Sequence, residues 1–264
     1  MLTDVSKVNI LILSDIDKIF LKQKKDIKKI LFKEKKLIWS KTNKSSKSIV
    51  SQGKKGCLQM LEKFLNNLKK EKCDDNCPFK LKNDRPIIKI PPPKKPLMMI
   101  ISNDPTVNFI PLFKQSENYN QETQRLMLFS GAIPQRFLLR INQFLVKTNS
   151  EYSIEDFFKL FDIAYWTHFN KCPTDAQNTF KNYCANNWLE AEINEAISNG
   201  VKVIITLGRQ VENWIKGKIA ENIEIINFYH PSGKVTKWND DNFKSDLNKT
   251  ITKLLEQIIL LTKE

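Results

Sequence analysis

Leu97-Met98-Met99-Ile100-Ile101 is a short apolar run, with Pro96 before it and Ser102-Asn103-Asp104-Pro105-Thr106 after it. A run of that length, apolar at every position and bounded by turn residues, fits a strand buried on both faces. Three further runs share its character: Ile163-Ala164-Tyr165-Trp166-Thr167, Val201-Lys202-Val203-Ile204-Ile205-Thr206-Leu207 and Ile223-Glu224-Ile225-Ile226-Asn227-Phe228-Tyr229. Helical spacing lies between and after them, over Phe137 to Leu145, Phe180 to Ser198, and a last stripe of Phe243, Leu247, Ile251, Leu254, Leu255, Ile258 and Ile259. Strands that alternate with helices predict an α/β fold, a mostly parallel sheet covered on both faces.

Upstream of this pattern the texture differs. Ile19, Phe20, Ile27, Ile30, Leu31 and Ile38 give the stretch from Asp17 to Trp39 a rough helical period. Lys41 to Lys55 reads as a linker, and Leu58 to Lys70 as a second amphipathic helix. Five prolines between Pro86 and Pro96 make that segment extended. The chain therefore divides into a basic, partly helical N-terminal extension, 1–72, and an α/β domain, 73–264.

Lys and Arg outnumber Asp and Glu by 43 to 29, a formal net charge of +14 over 264 residues. Such an excess favours a polyanionic partner, although Lys- and Asn-rich codon usage produces the same bias without selection for binding. Residues 1–21 contain Asp4, Asp15 and Asp17 and no long apolar run, which argues against a secretory leader and a membrane span. A cytoplasmic monomer with no membrane partner is the expectation. Cys57, Cys73, Cys77, Cys172 and Cys184 then sit in a reducing compartment, as ligands or inert thiols rather than disulfides.

The chemically distinctive residues follow the strands. Asn103 and Asp104 come after the first, His168 to Cys172 after the second, Gly208-Arg209 after the third, and His230-Pro231-Ser232-Gly233 after the fourth. In an open parallel sheet the carboxyl ends of the strands form the ligand crevice, so Asp104, His168 and His230 are predicted to line one pocket. Singly, each has a plain explanation as a turn or loop residue. The chain has only two histidines, and both fall at this edge.

Several segments together carry a family resemblance. They are Tyr165-Trp166-Thr167-His168-Phe169-Asn170-Lys171-Cys172, Cys184, Trp188-Leu189-Glu190-Ala191-Glu192-Ile193, Val203 to Arg209, and Tyr229-His230-Pro231-Ser232. This series resembles the second half of the family 4, iron–sulfur uracil-DNA glycosylases, and Ser102-Asn103-Asp104-Pro105-Thr106 stands where that superfamily has its first motif. The resemblance covers about residues 73–260. It implies a three-layer α/β/α sandwich around a four-stranded sheet, and an enzyme that flips a damaged base out of DNA and hydrolyses its N-glycosidic bond. Under it, His230 stabilises charge on the departing base and Asp104 activates water. Asn103 takes the place where that family has Glu, Phe129 stacks on the flipped base, with Phe113 as a weaker candidate, and His168 replaces the Asn that reads the uracil edge. A histidine cannot reproduce the paired donor and acceptor of an amide, which puts strict uracil specificity in doubt. Ser232, Lys234 and Lys237 are expected on the DNA backbone.

The same resemblance implies a four-iron, four-sulfur cluster on Cys73, Cys77, Cys172 and Cys184. Three residues separate the first pair where two are usual, and four thiolates also suit zinc. Cys57 is left over as an inert thiol. The alternative to a glycosylase is a catalytically degenerate nucleic-acid-binding protein of the same fold.

Overall fold

The computed structural model describes residues 56–148, 150–174, 182–232, 238 and 241–263. The expected helix from Asp17 to Trp39 and the linker after it lie outside the described residues, as do Lys234 and Lys237.

The four apolar runs form β1 (Met98–Ser102), β2 (Ala164–His168), β3 (Val203–Leu207) and β4 (Glu224–Phe228). They make one parallel sheet in the order β2-β1-β3-β4, with Met98 opposite both Ala164 and Val203, and Val203 opposite Glu224. The first three strands are buried at every position, as their uninterrupted apolar sequences require of a sheet covered on both faces. β4, one of the two edge strands, is only partly buried, with Asn227 exposed and Glu224 ion-paired to Lys253 at 2.7 Å.

Helices cover the sheet on both sides. On one face Met99, Ile101, Tyr165 and Ile204 pack against α1 (Gly56–Asn67), α7 (Glu190–Ser198) and α8 (Arg209–Ile215). On the other, Phe137 of α4 (Ala132–Thr148) meets Phe157 of α5 (Ile154–Phe158) and Phe228 of β4 edge-on, at 5.7 and 5.2 Å between ring centroids. The long C-terminal helix α9 (Asp241–Lys263) packs on β4 and α5. The result is the expected α/β/α sandwich, with every strand parallel. Two short helices, α2 (Ile110–Ser116) and α3 (Gln121–Phe129), fill the excursion after β1, and α6 (Leu160–Ile163) leads into β2.

One expected boundary moves. α1 begins at residue 56, and its Leu61 and Leu65, with Leu68 just beyond, belong to the sheet's own core beside Ile193 and Ala196 of α7. The α/β body therefore starts before Cys73, because these leucines cover a face of the sheet that would otherwise meet water.

The strand order fixes where a ligand can enter. From β1 the chain travels to one side of the sheet and from β3 to the other. The diverging connections open a crevice at the carboxyl ends of these two neighbouring strands.

Candidate functional site

The β1–β2 pairing continues past the strand ends and holds the residues beyond them in place. Phe169 N–H donates to Ser102 O at 2.7 Å, Asn170 N–H to Asn103 O at 2.9 Å and Thr174 N–H to Pro105 O at 3.3 Å. Trp166 Nε1 donates to Ser102 Oγ at 3.1 Å. Asp104 thus projects from a pinned segment, and the Thr174 hydroxyl donates to its carboxylate. Burial holds the Asp104 carboxyl above the ordinary aspartate range, and the Thr174 hydrogen bond only partly opposes this.

Across the crevice, Gly208 ends β3 at φ 112°, a left-handed conformation that favours glycine. A β-carbon there would lie 3.2 Å from Asn103 Oδ1 and 3.5 Å from His230 Cβ. The glycine therefore lets Asn103 and His230 approach one another over the end of β3. Asn103 Oδ1 is buried and has no hydrogen-bond partner among the described residues.

His230 follows β4. Its Nδ1 accepts the backbone N–H of Ser232 at 3.3 Å, which leaves the proton of a neutral ring on Nε2. Burial, then the charge of Arg136, lowers its basicity, so the ring is a neutral donor. Trp238 secures this loop. Its Nε1–H is shared between Tyr229 O and His230 O at 3.2 Å each, and its ring stacks on Phe228 at 5.9 Å. Ser232 thus acts here through its backbone on His230.

His168, at the end of β2, is 7% exposed. Burial, then the charges of Lys171 and His230, depresses its pKa to about 3. It lines a cavity of about 360 Å³ together with Asp104, Phe109, Leu128, Arg136 and Trp166. His230 stands next to this cavity rather than on its wall, coupled to it through His168 and Arg136. Phe129 is elsewhere: its ring is buried against Phe161 at 5.2 Å and Trp166 at 5.8 Å, with the Arg125 guanidinium over it. The expectation that Phe129 presents a stacking face is corrected, because the turn of α3 that places Leu128 on the cavity turns Phe129 into the core. Phe113 is buried as well. The aromatic ring on the cavity wall is Phe109, 6.3 Å from the His168 ring. Sequence reasoning missed Phe109 and Arg136. The available signal was their position, just after β1 and just ahead of the apolar stripe of α4.

A second cavity, of about 260 Å³, lies on the far side of the β2 loop and is lined by Cys73, Cys77, Cys172 and Cys184, with Phe79 and Trp188. Asp74 caps the Cys73–Cys77 turn, accepting Asn76 N–H on Oδ1 at 2.8 Å and Cys77 N–H on its carbonyl at 3.0 Å. Asn187 Nδ2, in the π-helical turn Ala185–Leu189 that follows Cys184, holds the turn's approach through Lys72 O at 3.1 Å. Lys171 N–H donates to Cys184 Sγ at 3.2 Å. Burial pushes the thiols up, Cys172 to about 12 and Cys184 to about 11. Among the described residues no three metal-binding side chains converge at the spacing of one ion.

Four thiols lining one cavity are a donor set that suits an iron–sulfur cluster or zinc. Four thiolates on one tetrahedral zinc would sit about 3.8 Å apart, whereas in a cubane each thiolate takes a separate iron and the four surround a larger volume. Asn170 Nδ2, buried on this wall with no partner among the described residues, is a donor suited to a cluster sulfur. The side chain of Cys57, on α1, lies outside the described residues.

No protein-family model matches the chain, and no curated protein matches it. A functional reading therefore rests on these residues alone.

Lys171 lies in the loop between His168 and Cys172 and lines the cysteine cavity. It is 2% exposed and ion-paired to the fully buried Glu192, which also accepts from the Tyr165 hydroxyl and, at 2.8 Å, from Thr167 Oγ1. Lys171 Nζ donates to Thr167 Oγ1 at 2.5 Å as well. This closed network fixes the loop that carries His168 at one end and Cys172 at the other.

Proposed function

We propose that the protein is a DNA glycosylase that releases uracil or a related deaminated base by hydrolysis of the N-glycosidic bond. The observation that carries this reading is the grouping of Asp104, His168 and the neutral imidazole of His230 around one crevice at the carboxyl edge of β1 and β3. The net charge of +14 supports a polyanionic substrate.

The base leaves the duplex and enters the cavity, at a cost of a few kcal/mol that is lowest at a mispair. Phe109 offers it a stacking face, worth roughly 1–3 kcal/mol. As the bond from C1′ to the base nitrogen breaks, its electron pair leaves with the base. The Nε2–H of His230 donates to the oxygen on which that charge collects, a contribution of about 2.7–4 kcal/mol when the donor is preorganised. Asp104 orients a water towards C1′, takes a proton as the new carbon–oxygen bond forms, and stabilises cationic character on the sugar while it is ionised. The abasic sugar carries the water oxygen, and the proton passes to solvent and the released base. His168, neutral and close to the base, offers a single hydrogen bond to a carbonyl. That contact suits several deaminated bases rather than uracil alone.

Cys73, Cys77, Cys172 and Cys184 hold an iron–sulfur cluster in this reading, with zinc as the alternative occupant. The cluster cross-links the Cys73–Cys77 turn to the loop after β2 and supplies no redox step.

The test is base release from oligonucleotides bearing uracil, hypoxanthine or xanthine, with iron and acid-labile sulfide measured in the same preparation. Release of at least one of these bases is the expected result. Salt-sensitive DNA binding with no release from the panel would instead identify a binding protein of the same fold.

A further inference from the structure

In the proposed reaction Asp104 is the group that meets water, and a side chain from a distant loop grips it. The Thr174 hydroxyl donates to Asp104 Oδ2 across 70 positions of sequence. Threonine hydroxyls commonly bond backbone close to themselves. This one reaches a carboxylate on the connection that follows another strand, and it engages one carboxylate oxygen while a second remains to be offered elsewhere.

The segment that carries the hydroxyl has little freedom. Thr174 is 6% exposed. Its N–H donates to Pro105 O at 3.3 Å and its backbone bridges in parallel to Thr106, so it is paired with the two residues that follow Asp104. Four residues earlier, Asn170 N–H donates to Asn103 O at 2.9 Å, on the other side of Asp104. Between these two points the Lys171 carbonyl accepts Ile88 N–H at 2.8 Å, and the Lys171 ammonium is buried against Glu192. The backbone around Asp104 is thus pinned before and after, and a donor from the pinning segment turns the carboxylate. A group held in this way needs no reordering when reaction begins. The basic side chains on the same cavity wall are His168, kept neutral by burial, and Arg136.

We propose that Thr174 is a positioning residue for base release: its hydroxyl fixes the rotation of the Asp104 carboxylate, so that Oδ2 is engaged and Oδ1 accepts from the attacking water. The assignment deepens the glycosylase reading and rests on it for the role of Asp104.

The test uses the full chain as wild type, Thr174→Val, Thr174→Ala and Thr174→Ser. Valine keeps the shape of the side chain without its hydroxyl, and serine keeps the hydroxyl. Single-turnover release of base is followed across the acid and neutral range. In parallel the Asp104 carboxyl is titrated by carbon-13 NMR of aspartate-labelled protein, its resonance assigned by its loss in Asp104→Asn. Thr174→Val should raise the Asp104 pKa, because the bond removed favours the ionised form, and should move the acid limb of the rate to higher pH. On the plateau above that limb Asp104 is ionised in every variant. Release there should still be slower by about ten- to a hundred-fold, with oligonucleotide affinity unchanged. Thr174→Ala should repeat the valine result, and Thr174→Ser should restore both the limb and the plateau. A residue that merely packed the loop would scale the rate equally at every pH, and serine would not rescue it. An Asp104 titration in Thr174→Val and Thr174→Ala that matches wild type overturns the proposal, as does a wild-type plateau rate in both. A wild type that releases no base, while loss of the Thr174 hydroxyl still moves the Asp104 titration, refutes the glycosylase reading and leaves the hold of Thr174 on Asp104 standing.

Discussion

The buried neutral imidazole of His168 makes a quantitative prediction about stability. Folding lowers its pKa from 6.5 to about 3. The unfolded chain therefore binds a proton below pH 6.5 that the folded chain refuses until near pH 3. Stability from this residue is complete above pH 6.5 and drains away as the pH falls towards 3. Between pH 8 and pH 5 the loss is on the order of 2 kcal/mol. The comparison is with His168→Gln, which keeps a polar side chain and removes the titration. His230 shifts in the same direction but is present in both proteins, so it cancels in the difference. Urea unfolding at pH 8, 7, 6 and 5 should show wild type losing about 2 kcal/mol more than His168→Gln across that range. Parallel pH dependences in the two proteins would refute the argument, because they would mean that the His168 ring reaches solvent and protonates normally.

Three further changes test other joints of the site. Trp238→Phe keeps the ring on Phe228 but removes the shared hydrogen bond to Tyr229 O and His230 O. It should cost about 1 kcal/mol of stability and lower kcat of base release more than it raises KM; equal effects on both would deny Trp238 a role in orienting His230. Lys171→Met strands the fully buried Glu192 without its counter-ion and should cost about 3–5 kcal/mol in urea unfolding. Much of that should return in the double variant Lys171→Met/Glu192→Leu, and simple additivity would contradict the closed network. Gly208→Ala places a β-carbon 3.2 Å from Asn103 Oδ1 at φ 112°. A loss of about 1–3 kcal/mol from backbone strain is expected, with base release falling further than stability alone explains; an unchanged denaturation midpoint would show that the turn relaxes freely.

The sheet was legible because burial on both faces writes itself as an unbroken apolar run. Met98–Ile101 and Val203–Leu207 have no other economical reading. The parallel direction followed from the helical spacing between runs, but the order β2-β1-β3-β4 did not, since strand adjacency is decided by packing between elements far apart in the chain. The residues at the crevice were visible as polar residues just past strand ends. Phe129 was misjudged for a local reason: adjacent residues on a helix point about 100° apart, so Leu128 and Phe129 cannot both face the cavity, and only the seating of α3 decides between them. Phe109 and Arg136 gave no pattern of their own. The leucines of α1 were assigned to the extension because a linker-like segment and a Lys-rich surface surround them, although their apolar stripe is what completes the sheet's core.

The central claim is that Asp104 and His230 together split a base from its sugar. Single-turnover release of base from a uracil-containing oligonucleotide tests it most directly, with wild type, Asp104→Asn and His230→Ala compared at saturating protein. Wild type should generate abasic sites, and each variant should be slower by about 10²–10³-fold while still binding the oligonucleotide. Wild-type rates in both variants, or no abasic product from wild type on any deaminated base, would contradict the account.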